Sequence, residues 1–175
     1  MPNFIPGCPD DTEYGPWSKA YVQTIDGADV IGCLIQQRDD LLALLGSLEG
    51  SYSYTPGKWT VAEVIGHITD AERIFAYRAL CVARGEKGLL PSFEQDDYMA
   101  AANFTSRPLA EITAEFQAVR QASIALLNSL TPEAWMRRGN VGGFSVTARG
   151  LAFVLAGHEN HHTRILREKY LIGKI

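Results

Sequence analysis

Cysteine is scarce in this chain and badly placed for cross-linking. Cys8, Cys33 and Cys81 are the only three. They form no C-x-x-C pair, and an odd number cannot all pair within one chain, so reduced, buried or half-buried thiols are expected. Positive charge is short as well: 16 Lys and Arg against 20 Asp and Glu leave a formal net charge of -4. A phosphate-binding surface needs the opposite balance, so no nucleic-acid partner is expected. No apolar run approaches the ~20 residues that span a bilayer, so no membrane partner is expected. Met1-Pro2-Asn3-Phe4-Ile5-Pro6-Gly7 has neither the basic stretch nor the apolar run of a signal peptide, which makes the cytoplasm the expected location. What remains is a chain of 175 residues, 46% hydrophobic and 21% charged. That is a globular composition with enough material for one real core.

Convincing strand alternation is missing too, whereas helical periodicity is plentiful. Residues 1–26 carry Pro2, Pro6, Pro9 and Pro16 and read as an extended arm, anchored by Tyr14, Trp17 and Tyr21. Residues 27–175 read as the domain proper. Its first helix is expected from Asp26-Gly27 to about Glu49, on an apolar stripe of Ile31, Leu34, Leu41, Leu42, Leu45 and Leu48. Thr60-Val61-Ala62-Glu63 has the form of a capping box, and the helix behind it runs to about Gly85. A third helix opens near Pro108, with the stripe Leu109, Ile112, Phe116, Val119, Ser123, Leu126, Leu130. Thr131-Pro132-Glu133 caps a short turn through Trp135. Gly142-Gly143 turns the chain before Ser145, which is expected to cap a last helix running to about Leu171. The stretch from Glu86 to Arg107 is too long for a tight hairpin and is expected to cross the bundle, with a short helix at Gln95 to Ala102. The fold class predicted is all-α: a four-helix bundle with a long crossover between its second and third helices and short extra helices.

Histidine is the fourth scarcity and the most informative, since three of the four can meet at one point. His158 and His162 stand four residues apart in Gly157-His158-Glu159-Asn160-His161-His162, so they project from one helix face. They take places on the inward stripe Leu151, Val154, Leu155, His158, His162, Ile165, Lys169, where Leu or Val would ordinarily sit. His67, in Val64-Ile65-Gly66-His67-Ile68, is the one sequence-distant candidate for a third ligand. A lone interior histidine is usually a hydrogen-bonded core residue. Two on one apolar stripe are different, because burying unpaired polar rings costs a few kcal/mol each. A divalent ion bound through the ring nitrogens at ~2.0–2.1 Å removes that cost.

The predicted metal ligands are therefore His67, His158 and His162, with an open coordination position. His161 falls off the stripe and is expected at a helix interface or the surface. Asp70 and Glu159 are the carboxylates nearest the ligands in sequence and the candidate catalytic residues. Asp70 could orient a ligand ring by hydrogen bonding, or could equally be a solvated helix-face charge. Asp96 and Asp97 in the crossover are further candidates for steering a proton, though solvated surface charges are the favoured reading of that pair. His158-Glu159-Asn160-His161-His162 also spells H-E-x-x-H, in which Glu159 would be the general base of a zinc peptidase. That reading is set aside, because the residues after His162 offer neither a further histidine nor a strand.

These residues resemble the DinB-like (YfiT-type) superfamily of metal-binding four-helix bundles, over residues 28 to 172. The superfamily is distinct from the DNA polymerase that shares the label. The resemblance is carried by Gly57-Lys58-Trp59-Thr60-Val61-Ala62-Glu63-Val64-Ile65-Gly66-His67-Ile68 with Asp70, Ala71 and Glu72, by Leu90 to Asp96, by Phe116 to Arg120, and by Ala156 to His162. It implies a divalent metal, commonly nickel or zinc, on His67, His158 and His162, and frequent homodimers. It also implies a small-molecule substrate, in reactions that are thiol-dependent transfers or isomerisations using a low-molecular-weight thiol, or metal-dependent hydrolyses. The chain departs from the family mainly in its N-terminal arm, for which the resemblance implies no role.

Three neutral imidazoles leave an ion its full charge and make a water or thiol at its open position easier to deprotonate. Thiol S-transferase and hydrolase chemistry are both expected from such a site, and the sequence does not choose between them. A noncatalytic, structural homodimeric bundle stapled by the ion is the alternative, and a metal-free bundle with satisfied core histidines is a third. Trp59 and Tyr98 are candidates for the pocket mouth. Arg73, Arg78, Arg120 and Arg164 stand near the expected core edge, where one could hold an anionic group of a substrate, though each is expected in an ordinary surface ion pair.

Overall fold

Side-chain caps start three of the four long helices of the chain, whose computed structural model describes residues 4–171. After a 3-10 turn at Pro16–Ser18 comes a single turn, α1 (Lys19–Val22). Asp29 opens α2 (Val30–Leu45), its carboxylate accepting from the Gly32 amide at 2.9 Å. Thr60 and Glu63 form the expected capping box at the start of α3 (Val61–Arg84). The Thr60 hydroxyl accepts from the Glu63 amide and the Glu63 carboxylate from the Thr60 amide, at 3.2 and 2.7 Å. Gly85, with φ at 86°, ends that helix in the left-handed conformation that favours glycine. The crossover holds β1 (Leu89–Leu90), α4 (Gln95–Ala102) and a 3-10 turn at Phe104–Ser106. Then follow α5 (Leu109–Asn128), α6 (Pro132–Met136), β2 (Arg138–Val141), β3 (Phe144–Thr147) and α7 (Ala148–Ile165).

Helix α3 packs on α5 and α7, and α2 packs on the same two, so the consecutive helices α2 and α3 occupy opposite corners of the bundle. The expected all-α four-helix bundle with a long crossover is the fold observed, with one addition. A small sheet of order β1-β2-β3, parallel then antiparallel, joins the crossover to the hairpin before α7. Strands of two to four residues are too short for alternation to register in the sequence. The Gly142-Gly143 turn was legible, and both glycines have positive φ, 58° and 90°, as a tight two-residue hairpin turn requires. The residues after it continue a strand, so the helix cap is Thr147 and not Ser145; the Thr147 hydroxyl accepts from the Gly150 amide at 2.9 Å.

The last helix also departs from expectation at its far end. Over Leu166–Tyr170 it loosens into a π turn. The extra residue rotates Leu166 and Tyr170 inward and leaves Lys169 exposed, which removes Lys169 from the inward stripe. The Tyr170 hydroxyl donates to the Trp59 carbonyl at 2.7 Å, tying the end of α7 to the start of α3.

The N-terminal segment is built into the bundle. Its described part is helical over residues 16–22 where an extended arm was expected; Met1, Pro2 and Asn3 lie outside the described residues. Tyr14 is buried as an anchor, Tyr21 is half-buried, and Trp17 is exposed. Glu13 is 1% exposed. Its carboxylate accepts from the Thr147 hydroxyl at 2.7 Å and from Arg149, and the Glu13 carbonyl accepts from the Thr147 amide. Gly150 and Gly157, two helical turns apart on α7, make room for this segment: a Cβ at Gly150 would strike the Glu13 carbonyl, and one at Gly157 the Tyr21 carbonyl.

Two apolar clusters fill the core. One holds Leu34, Phe75, Ile124, Trp135 and Phe153; the other holds Leu41, Ile65, Ile68, Phe116 and Leu166. Buried polar residues separate them on three helices: His67 and Glu72 on α3, Arg120 on α5, His158 and Glu159 on α7.

Gly150→Ala should lower stability by about 1–3 kcal/mol, because the methyl meets backbone that cannot swing aside. Gly46→Ala is the control, since Gly46 has φ −60° and meets nothing nearer than the Ala43 carbonyl at 3.4 Å. Urea denaturation midpoints check both; an unchanged midpoint for Gly150→Ala refutes the packing argument.

Candidate metal centre

His158 and His162 lie one turn apart on α7, and His67 faces them from α3, which packs against α7 along much of its length. One ligand-capable nitrogen from each ring can be chosen so that all three lie within 4.8 Å of one another. The Nε2 atoms of His67 and His158 are 3.0 Å apart. Ring centroids are separated by 4.9, 4.8 and 4.6 Å for the three pairs. Two ligand atoms each ~2.0–2.1 Å from a common ion stand about 3 Å apart, so the spacing suits a divalent ion. Among the described residues this is the one group of three or more His, Cys, Asp or Glu side chains with that property.

The electrostatics also suit an ion. His67 and His158 are buried and His162 partly so. Burial holds His67 down to about 4 and His162 down to about 3, the latter helped by His67 and His161, and it holds His158 well below the usual 6.5. All three are neutral near pH 7, so a ring nitrogen of each can be free of a proton, as a ligand must be. His161 sits where expected, half-buried at the interface, with its ring 5.3 Å from Tyr21 and 5.0 Å from His162.

The two carboxylates predicted as catalytic residues lie elsewhere. Asp70 accepts from Arg73 at 3.1 Å, and Arg73 continues to Glu115 and on to Arg107, a partly exposed run of charges across α3 and α5. Glu159 follows His158 directly, which turns it ~100° round the helix, and it is 1% exposed. It pairs with Arg120, which also binds Glu72 at 2.7 Å and donates to the Leu34 carbonyl at 2.9 Å. The H-E-x-x-H match thus has its glutamate in the bundle interior. The carboxylate whose charge reaches His67 is Asp96, in the first turn of α4.

Arg120 and Arg78 are both buried where surface ion pairs were expected, and Arg120 is the more fully enclosed of the two. Its position four after Phe116 and three before Ser123 put it on the inward stripe, and it displaces the half-buried Val119 from that face. Burial, opposed by Arg120 and assisted by Glu72, pushes the Glu159 carboxyl up to about 7.

The centre opens on both sides. A cleft of about 410 Å³ reaches His67 and His158 between Trp17, Tyr21, Phe75 and Phe93. A second of about 290 Å³ reaches His162 beside Trp59 and Tyr54. Asp96 borders both. Trp59, predicted at the pocket mouth, has its ring 4.9 Å from that of His67. Tyr98 is half exposed and packs on Phe93 at 5.4 Å.

The model of one protein family, the DinB superfamily, matches residues 33–166. The chain belongs to the DinB superfamily. Among solved structures it is similar to YfiT from Bacillus subtilis, described as a probable metal-dependent hydrolase with an unusual four-helix bundle topology. The two share 16% sequence identity with a TM-score of 0.68, over 91% of each chain. At that identity the likeness establishes a shared fold. No curated protein matches the chain.

Two outcomes follow for this DinB-superfamily chain. Arg120→Met strands Glu72 and Glu159 without a counter-charge and should cost about 3–5 kcal/mol, read as a lower urea midpoint at pH 7. In metal-stripped protein, stability should fall as pH drops from 6.5 toward 4. There the unfolded chain protonates its histidines while the folded chain keeps His67, His158 and His162 neutral. Glu159 acts in the opposite sense, taking its proton near 7 when folded and near 4.5 when unfolded, and is outnumbered. A urea midpoint that stays flat or rises from pH 6.5 to 4.5 contradicts this.

Proposed function

We propose that His67, His158 and His162 hold one divalent ion, nickel or zinc as the family resemblance implies, and that the protein is a metal-dependent enzyme. Its chemistry is of the hydrolase or thiol S-transferase type, the latter with a low-molecular-weight thiol. The observation that carries this is the neutral three-imidazole cluster opening onto a cleft large enough for a small molecule. A divalent ion held there supplies Lewis acidity, making a water or thiol at its open position a better nucleophile at neutral pH.

The chain's own residues supply the remainder. Phe75 and Phe93, with Trp17 and Tyr21 from the N-terminal segment, wall the cleft with apolar and aromatic surface and limit water there. Asp96, at the border of both openings, is the carboxylate placed to take up or return a proton. Asp70 and Glu159 act through the framework: Glu159 fixes the rotation of α7, and with it the direction of His158. The substrate is a small molecule. Among the described residues no helix is long and apolar enough to cross a membrane; the cytoplasm is the proposed location and a homodimer the proposed assembly.

Metal content of natively purified protein tests this. About one ion per chain is expected, lost in His67→Ala and His162→Ala, with turnover on thiol, ester or amide panels that disappears on chelation. Absence of metal even after reconstitution with nickel and zinc overturns the reading. A loaded but inert protein whose melting temperature drops on chelation makes the ion a structural staple instead.

A further inference from the structure

Two arginines of the described chain are almost wholly buried, and they are compensated very differently. Arg120 has two carboxylates and a carbonyl. Arg78, 3% exposed, donates one hydrogen bond, from Nη2 to the Pro91 carbonyl at 2.6 Å. Beyond that its Cζ stands over the faces of Phe75 and Phe93, 5.9 and 5.5 Å from their centroids. Among the described residues it forms no ion pair, and burial holds its pKa below the usual value. A buried cation without a counter-charge costs several kcal/mol, and one carbonyl with two ring faces offsets only part of that.

The uncompensated edge of this guanidinium has an outlet. Arg78 lines the cleft that reaches His67 and His158, and none of its nitrogens is among the sealed, unpartnered polar atoms. Phe75 bridges the interval, its ring 5.6 Å from that of His158 and 5.9 Å from Cζ of Arg78. Glu94 and Asp96 border the same cleft from exposed positions. Among the cleft's own side chains, anionic groups are therefore disfavoured at the rim and favoured at Arg78, which gives the cleft a direction.

We propose that Arg78 receives an oxyanion, such as a carboxylate, of the small molecule that occupies this cleft. The apolar body of that molecule lies along Phe75, Phe93 and Phe144, and its far end faces the histidines. The planar fork of an arginine suits paired hydrogen bonds to such a group better than a lysine does. The substrate class is thus an anionic molecule with an aromatic or similarly flat apolar body. The proposal deepens the function proposed above and rests on it for the reaction, not for binding.

The test compares 3-phenylpropanoate with its neutral amide, 3-phenylpropanamide, titrated by calorimetry into the metal-stripped full chain so that the carboxylate cannot ligate an ion. Wild type should bind the carboxylate roughly tenfold or more tightly than the amide. Arg78→Met should abolish the difference while leaving amide binding in place, and Arg78→Lys should keep part of it; circular dichroism melts verify that each variant is folded. Equal affinity for the two probes in wild type, or binding of neither, overturns the proposal, as does a preference that survives in folded Arg78→Met. If Arg78→Met does not fold, the wild-type pair and Arg78→Lys decide. A preference in a chain that never binds metal would leave this anion site standing while removing the proposed reaction. Metal binding without the preference would do the reverse.

Discussion

The buried guanidinium of Arg120 is the constraint around which the bundle is arranged. Glu72 reaches it from α3 and Glu159 from α7, while its Nη1 donates to the Leu34 carbonyl of α2. One side chain thus ties together all four long helices, standing on the fourth itself. Ionic groups with no access to water are strong only when their geometry is satisfied. A sliding or rotating helix would strand one of the charges, so this contact selects a single register for an otherwise adaptable apolar core. Because Glu159 adjoins His158 and Glu72 shares a helix with His67, the same contact sets how the imidazoles face one another. The layer between the two apolar clusters therefore has a mechanical half and a chemical half.

Burial serves both halves by different means. Around Arg120 it strengthens the attraction between opposite charges that have no competing water. Around the imidazoles it removes protons, since a charged ring has no partner there: Asp96 is the acidic group that favours the charged form of His67, and its influence is exceeded by desolvation. Aromatic neighbours supply that desolvation, with Trp59 against His67 and Phe75 and Tyr21 against His158. A cluster built this way is ready for a cation and unsuited to holding one from solution in its protonated state.

Much of this was legible in the residues because it depends on local periodicity. The i, i+4 spacing of His158 and His162 and the capping box at Thr60 are properties of a few consecutive positions, and the helix at Gln95–Ala102 lay where the crossover needed one. What was illegible depends on distant partners. Strands β1 and β2 pair over two residues, Leu89 with Asn140 and Leu90 with Val141, a separation that no window of neighbours registers. Arg120 and Arg78 looked like surface charges because an arginine's default is exposure, and only the packed helices show which ones face inward. Glu159 was placed beside the ligands by sequence adjacency, though neighbours on a helix point ~100° apart. The π turn after Ile165 altered the inward face of α7 beyond His162, which a constant 3.6-residue period could not anticipate.

Gly150 and Gly157 carry a wider consequence. By admitting the N-terminal segment against α7, they make Trp17 and Tyr21 part of the cleft wall. Those two aromatics precede residue 33, where the match to the superfamily begins. The three imidazoles lie within that match, whereas one side of the cleft in front of them comes from the segment that precedes it. The imidazole cluster and part of the wall of the cleft before it are therefore built from separate stretches of the chain, joined only by the close approach that two glycines permit.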